Sequence, residues 1–384
     1  MISSLQLKNF VAFTDLAIDF SPGINIIIGE NGTGKTQLLK AILALCGPEV
    51  RSDQPGEQLA RKLCRLYQPL SEKVGELRRS GTRGDAVLSA TFASGHEVAA
   101  RFNGTATETK VSIGKDGDVA AAIFIPTKEV LSLVRGLTVD EPGQPDQPTI
   151  ERIFDDGYLD LARQLIKEGA DDLDAKVRFD PRFASIVPRL ANLIGGRYEL
   201  HEGRFCFQAG EYVERRGKSS SAQKAPQSFQ DSELYFAPAK SRLLSSTMTA
   251  EGFRKIGVLQ RLLSNGSLNP GTAGPLLWDE PESNLNPKLM KDLVHALLEL
   301  ARNGQQVILA THDYVLLKWF DLLLDKKGKG DQVRFHVLSR ETETGLVLRD
   351  SMDDYRAIEP NAIADTFNDL TKEQVARKMG SLGK

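Results

Sequence analysis

Apolar positions recur along the chain at two spacings. Leu5 and Leu7, then Leu16, Ile18 and Phe20, alternate with other residues at period two, which predicts strands across residues 2–20. Ser21-Pro22-Gly23 reads as a turn, and Ile24, Ile26, Ile27 and Ile28 then form the apolar run of a strand buried on both faces. Directly afterwards Leu38, Leu39, Ile42, Leu43 and Leu45 take helical spacing, stopped by Gly47-Pro48. Residues 48–84 are polar and predict a helix with a basic face. From Ala86 to Pro126 the runs VLSATF, EVAARF, TKVSI and AAAIFI, separated by Ser94-Gly95, Asn103-Gly104 and Asp116-Gly117, predict antiparallel hairpins that close an N-terminal lobe at residue 126.

The middle of the chain changes character. Asp140 to Pro148, DEPGQPDQP, is a proline-rich connector, and Ile150 to Leu193 has helical spacing with two interruptions. Arg197 to Gln208 reads as a hairpin around Glu202-Gly203, and Arg215 to Gln230 is Ser/Gln/Lys-rich without period, which predicts a mobile loop at 213–232. Phe253, Ile256, Val258, Leu259, Leu262 and Leu263 mark a helix over 250–264. Leu276 to Trp278 is an apolar strand. Asn286 and Pro287 then suit the start of a helix carrying Leu289, Leu293, Leu297 and Leu300 to Asn303-Gly304. Val307 to Ala310 is another buried strand; a helix over 314–324, strands at 333–338 and 345–348, and a helix near 372–379 follow. The expected organisation is an α/β lobe with an antiparallel β subdomain (1–126), an inserted helical subdomain (127–249) and a second α/β lobe (250–384). The absence of sustained heptads argues against a long coiled coil.

The bulk numbers narrow the setting. A chain of 384 residues with 41% hydrophobic and 26% charged residues has the composition of a soluble globular protein. A formal net charge of -2 gives no overall pull towards nucleic acid or anionic membrane, so such a partner must meet a local patch. Arg61, Lys62, Arg65, Lys73, Arg78, Arg79 and Arg83, among Leu59, Leu63, Leu66 and Tyr67, offer one. That stretch suits nucleic acid or an acidic partner, or is an ordinary solvated surface diluted by Asp53, Glu57, Glu72 and Glu76. Cys46, Cys64 and Cys206 lack metal-site spacing and fit a reducing compartment. No apolar run approaches the roughly 20 residues of a membrane span, and Met1 leads into a strand-like segment, so a cytoplasmic chain without a membrane partner is expected.

The chemistry begins at Gly29 to Thr36, GENGTGKT, set between the buried strand and the helix. That context distinguishes a phosphate site from a chance glycine-rich turn. Gly29, Gly32 and Gly34 let backbone N–H groups converge on the phosphates, Lys35 neutralises phosphate oxygens and the Thr36 hydroxyl ligates Mg²⁺. With Asn31 and Gln37 these make up the expected ATP-binding set. The strand at 276–278 runs into Asp279-Glu280-Pro281-Glu282: Asp279 suits Mg²⁺ opposite Thr36, and Glu280 suits orientation of an attacking water. Pro281 should keep Glu280 extended. His312, at the end of the strand 307–310, points to the crevice where such sheets bind ligands and suits a γ-phosphate contact.

GENGTGKT, LLWDEPESNLNP and VILATHD, in that order around a large insertion, resemble the ATP-binding-cassette (ABC) P-loop ATPases of the SMC/RecF-like branch. Within it the chain is similar to compact prokaryotic AAA-type proteins that partner nucleases or toxins in phage-defence operons, and to the ATPase half of overcoming-lysogenization-defect proteins. The resemblance covers residues 2–47 and 250–320. It implies ATP and Mg²⁺ as cofactors, Lys35 and Thr36 as Walker A ligands, Asp279 as the Walker B aspartate, Glu280 as catalytic glutamate and His312 as switch histidine. It also implies a self-associating dimer, or a higher oligomer, that sandwiches two nucleotides, with Ser283 to Asn286 crossing the interface and the Gly252 turn reaching the partner's nucleotide. Two positions depart from the pattern. The signature turn Thr249-Ala250-Glu251-Gly252 keeps Gly252 but lacks its serine unless Thr249 supplies the hydroxyl, and the expected glutamine is replaced around Phe124 to Glu129, where Thr127 or Lys128 stands instead. A nucleotide-gated scaffold with little hydrolysis and a transporter motor remain alternatives. A fused nuclease has too little chain after His312, and Asp353-Asp354 reads as a solvated turn.

Overall fold

The computed structural model describes residues 1–114, 120–138, 146–169, 173–216, 232–358 and 362–381. A six-stranded sheet runs through its centre in the order Val347–Met352, Val333–Arg340, Ile24–Gly29, Val307–Thr311, Leu276–Asp279, Ile123–Ile125. All neighbours are parallel except the outer pair formed by Val347–Met352 and Val333–Arg340. Every residue of Ile24–Gly29, Leu276–Asp279 and Val307–Thr311 is buried. Unbroken apolar runs suit this position, because helices cover both faces of a parallel sheet. The three strands end together on one edge, at Gly29, Asp279 and Thr311.

Ile123–Ile125 corrects one expectation. It pairs in parallel with Leu276–Trp278 and does not continue the hairpins. All three of its residues are buried, which is the composition of a central strand and not of an alternating one. The hairpins themselves form a five-stranded antiparallel sheet in the order Phe13–Asp19, Ile2–Phe10, Ala86–Phe92, Glu97–Phe102, Lys110–Ile113. Its inner face packs with the helices Lys35–Leu45 and Pro55–Tyr67 in one core. The Asp116-Gly117 turn and residues 140–145 of the connector lie outside the described residues.

The middle segment is not wholly helical. Helices Gln147–Ile153, Asp156–Leu165, Leu173–Phe179 and Pro181–Ile194 are followed by strands Gly196–His201, Arg204–Arg216, Ser232–Pro238 and Leu244–Ser245, which form a separate four-stranded sheet. The expected turn is there: Glu202 and Gly203 have φ of 49° and 73° between paired His201 and Arg204. The strand continues past Gln208 because Tyr212 and Val213 pair with Phe236 and Tyr235. Residues 213–216 and 232 of the expected mobile loop are therefore strand, and residues 217–231 lie outside the described ones.

The basic stretch is only partly a free surface: Lys62 is buried, Arg65, Arg78 and Arg79 are half-buried, and the other three are exposed. Lys62 is buried and pairs with Asp156 at 3.1 Å, Glu49 at 3.6 Å and Asp160, while Arg65 reaches Asp156 at 2.6 Å and Glu151 at 3.1 Å. Burial alone would lower the Lys62 pKa; Asp160, Asp156 and Glu49 more than reverse it and hold the ammonium above its ordinary value. Lys40, one turn into the helix after the glycine loop, pairs with Asp155 at 2.7 Å. Arg79 donates to the Ala12 carbonyl at 2.7 Å, and Arg78 to that of Gly84 at 2.6 Å. Of the seven basic residues, Arg61 pairs with Glu57 on the surface, and Lys73 and Arg83 are exposed. The contacts of Lys40, Lys62 and Arg65 join the N-terminal lobe to the helices Gln147–Ile153 and Asp156–Leu165, so that part of the expected basic face is a seam.

Helices Tyr314–Leu323 and Ala362–Ser381 complete the chain, the second longer than its sequence pattern indicated. Asp353 pairs with Arg334 at 2.8 Å and Asp354 caps a short 3-10 turn through the Arg356 amide. Among the described residues, no helix is long and apolar enough to cross a membrane.

Candidate nucleotide site

The glycine loop leaves the buried strand at Gly29 and enters the helix at Lys35. Gly32 and Gly34 have φ of 83° and 94°, the left-handed region open to glycine. A Cβ on Gly34 would lie 2.7 Å from the Phe13 ring, and one on Gly29 would lie 2.5 Å from the Leu338 carbonyl. No side chain caps the helix N-terminus, so its positive dipole end faces the loop. Lys35 is buried and donates to the carbonyls of Gly29 at 2.7 Å and Glu30 at 3.1 Å. Burial lowers its pKa, against the pull of Glu280, Asp279 and Glu282. Asn31 is exposed on the loop. Gln37 faces elsewhere: its Oε1 accepts from the Ala12 amide at 3.2 Å, and its carbonyl from the Tyr67 hydroxyl at 2.5 Å.

Two hydroxyls meet on one carboxylate oxygen. Asp279 Oδ2 accepts from Thr36 Oγ1 at 2.7 Å and from Thr127 Oγ1 at 3.0 Å. Burial raises the Asp279 pKa, and the two hydroxyls oppose that rise by favouring the anion. A buried carboxylate with two hydroxyls is an all-oxygen donor set, which fits a hard cation such as Mg²⁺. Thr127 occupies the place where the resemblance led one to expect glutamine; Lys128 is exposed.

Glu280 lies just past the strand, its amide bonded to the Ala310 carbonyl at 2.8 Å. It is not extended. Its φ is 47°, a left-handed conformation that is uncommon for a non-glycine residue. Proline does bar the right-handed helical region at the preceding residue, but the chain turns here instead of continuing the strand. Glu280 Oε1 then lies 3.1 Å from His312 Nδ1, and the His312 side chain is 48% exposed. The ends of two neighbouring strands thus present an acid and a histidine in contact, beside Thr36 and Asp279.

The signature-like turn sits on the loop after Glu280. A Cβ on Gly252 would lie 2.5 Å from the Asn284 carbonyl. Ala250 is the N-cap of the helix Glu251–Ser264 and makes no side-chain capping bond. The Thr249 hydroxyl donates to the Ser246 carbonyl at 2.6 Å and contacts the Tyr198 hydroxyl at 2.5 Å. Ser283 Oγ donates to the Thr127 carbonyl at 3.2 Å, and Asn286 caps the next helix through the Lys288 amide at 3.0 Å.

Two residues of this neighbourhood were not singled out from the sequence. Glu282 is buried, accepts from the Thr311 hydroxyl at 2.6 Å and is pushed up to about 7 by burial. Lys255 is 1% exposed and donates to the Glu280 carbonyl at 3.0 Å and to Ser283. A signal for it existed: Lys255 shares a helix face with Val258, Leu259 and Leu262, where a surface lysine does not belong.

Comparison with known proteins agrees with the motif order. Residues 4–142 match a family model described as "AAA domain", and residues 144–318 one described as "AAA domain, putative AbiEii toxin, Type IV TA system". The DNA replication and repair protein RecF of Acidothermus cellulolyticus is 31% identical over 141 residues, 35% of this chain and 34% of the relative. RecF of Limosilactobacillus fermentum is 36% identical over 83 residues, 22% of this chain and 21% of the relative. The chain therefore matches at most 34% of the length of these two relatives. Among solved structures, the Smc head bound to the C-winged helix domain of ScpA has the same fold, with a TM-score of 0.50 and 15% identity over 92% of this chain and 97% of that one. Two AAA-domain matches in adjacent stretches of the chain, the partial RecF matches and a head-domain fold point the same way as the three motifs: the chain is similar to the SMC/RecF-like ABC class of P-loop ATPases.

Proposed function

We propose that the protein binds ATP with Mg²⁺ between the glycine loop and Asp279, hydrolyses it, and uses the cycle to close and reopen a homodimer that governs a DNA transaction or a nuclease or toxin effector in the cytoplasm. The convergence of Thr36 and Thr127 on Asp279, beside the Glu280–His312 pair, carries this reading. Gly29, Gly32 and Gly34 bring backbone N–H groups to the phosphates, and Lys35 is poised to exchange two carbonyl partners for phosphate oxygens. Asp279, Thr36 and Thr127 would hold Mg²⁺, which when bound neutralises charge on the transferring phosphoryl group. Glu280 accepts a proton from the attacking water, and a His312 protonated at Nδ1 donates to Glu280 and fixes its orientation. The other ring nitrogen of His312 is left for the γ-phosphate. Crossing of the interface by Ser283 to Asn286 and contact of the Gly252 turn with the partner's nucleotide belong to the same reading. The RecF relatives, DNA replication and repair proteins, support the DNA transaction, and the toxin-related family model supports a toxin effector; the nuclease rests on the motif resemblance.

Steady-state phosphate release tests the proposal. Glu280→Gln should lower kcat by about 10²–10⁴ while retaining ATP and accumulating as an ATP-bound dimer in light scattering. Lys35→Ala should lose ATP binding. A Glu280→Gln enzyme as fast as the wild type would overturn the assignment. One observation favours the scaffold alternative: Ala250 offers no hydroxyl, and that of Thr249 is engaged by Ser246 and Tyr198. Wild-type turnover at the Lys35→Ala baseline, with ATP-dependent dimerisation intact, would select it.

A further inference from the structure

We propose that Lys255 is a positioning residue for Glu280, holding through the Glu280 carbonyl and the Ser283 hydroxyl the left-handed turn that aims the Glu280 carboxylate at His312. The inference rests on the ATPase reading of the site and adds to it a residue from the helix behind the signature-like turn.

Three observations converge on it. Lys255 is among the largest fully buried side chains, and a buried ammonium is costly unless bonded on several sides. Its Nζ donates to the Glu280 carbonyl at 3.0 Å and also bonds Ser283 Oγ. Secondly, the segment it grips is the strained one. Glu280 and Asn284 have φ of 47° and 61°, and such conformations persist for non-glycine residues only where surrounding contacts over-determine them. Ser283 adds to the grip: its one hydroxyl proton has two carbonyl acceptors within reach, Glu280 at 3.0 Å and Thr127 at 3.2 Å, and the Thr127 hydroxyl is on Asp279. Thirdly, the same helix touches this loop again one turn earlier, where Gly252 admits the Asn284 carbonyl at a distance no Cβ would allow. Helix and loop are therefore held together at two successive turns.

The electrostatics agree with the geometry. Burial pulls the Lys255 pKa down to about 8, against the carboxylates of Glu282, Glu280, Glu251 and Asp279 that favour its charge. Lys255 reaches the main chain of Glu280, so the carboxylate stays free for His312 and water. A residue that acts in this way should change how fast bound ATP reacts and not how well ATP binds.

The test is a double-mutant cycle read by kcat and KM for phosphate release, with binding of a fluorescent ATP analogue as the control for folding. Lys255→Met keeps the stem and removes the ammonium. It should lower kcat about 10- to 100-fold, as supporting residues of reactive groups do, with KM and analogue affinity within about threefold. Ser283→Ala should lower kcat in the same direction and by less. In a Glu280→Gln background Lys255→Met should cost nothing further, because a positioning residue has no effect once the group it aims is gone. An unchanged kcat in Lys255→Met, or losses that multiply in the double variant, would overturn the inference. If wild type and Glu280→Gln are equally slow while both bind the analogue, the ATPase reading fails and this inference with it. A normal Glu280→Gln defect beside a normal Lys255→Met rate sinks the inference alone.

Discussion

Glu282 carries a charge problem that pH can expose. Its carboxyl is buried, one oxygen accepts from Thr311 and the other has no hydrogen-bond partner among the described residues. Burial raises its pKa from 4.5 to about 7. Between these values the folded protein holds a proton that the unfolded chain has released. Stability from this group is therefore complete below pH 4.5 and is lost as pH rises through 7. The shift corresponds to on the order of 3 kcal/mol. Glu282→Gln keeps the acceptor for Thr311 and removes the titration. Its melting temperature should match that of wild type near pH 5 and exceed it at pH 8; parallel curves would show that Glu282 is ionised throughout. At this scale the sequence pointed to candidate chemistry and was poor about conformation. Lys35, Thr36, Asp279, Glu280 and His312 could be singled out as candidates because phosphate and metal chemistry restricts the residue types. The left-handed backbone of Glu280 was not, because the residue before proline is barred from one region and not assigned to another. Thr127 was legible only as a substitute for an absent glutamine, and its hydroxyl bond to Asp279 needed the strand pairing of Ile123–Ile125 with Leu276–Trp278.

Elements were legible where their periodicity was local. The strand Ile24–Gly29, the helices Lys35–Leu45 and Pro287–Arg302 and the hairpin at Glu202-Gly203 all form where the pattern and turn residues place them. The pairing of Ile123–Ile125 failed because three apolar residues carry no information about partner or direction. The sheet of the middle segment was missed where its strand Arg204–Arg216 runs into polar residues, since only long-range pairing with Leu234, Tyr235 and Phe236 defines it. The contact between the helix Glu251–Ser264 and the loop at 283–285 is equally non-local, and Gly252 is its tightest point. Gly252→Ala would set a Cβ 2.5 Å from the Asn284 carbonyl, so helix and loop must separate. The expected cost is about 1–3 kcal/mol in denaturant unfolding, with a fall in phosphate release. Normal turnover despite the loss of stability would show that the helix and the loop are not coupled to hydrolysis.

Across the whole molecule, the seam between the N-terminal lobe and the middle segment decides how the basic stretch is read. Arg61 to Arg83 read as a surface for a polyanion or as an ordinary solvated face, yet Lys62 and Arg65 lie against Asp156, and Lys40 of the helix Lys35–Leu45 lies against Asp155. Net charge of -2 hides this, because composition counts charges and not their partners. The seam joins the helix that begins at Lys35 to the start of the helix Asp156–Leu165. Removing the Lys62 ammonium takes one of two cations from Asp156, a buried carboxylate that keeps Arg65. Breaking a buried pair from one side costs roughly 3–5 kcal/mol where nothing replaces the lost charge, and Arg65 puts this case at the lower end. Lys62→Met should therefore lose stability of that order in denaturant unfolding, and replacing Asp156 by Leu as well should restore part of it. Any affinity of the protein for duplex DNA, and the slope of that affinity with salt, should be the same in Lys62→Met as in wild type, since a buried and paired lysine releases no counterions from DNA. A variant with wild-type stability and a shallower salt slope would restore the reading of this stretch as a nucleic-acid face.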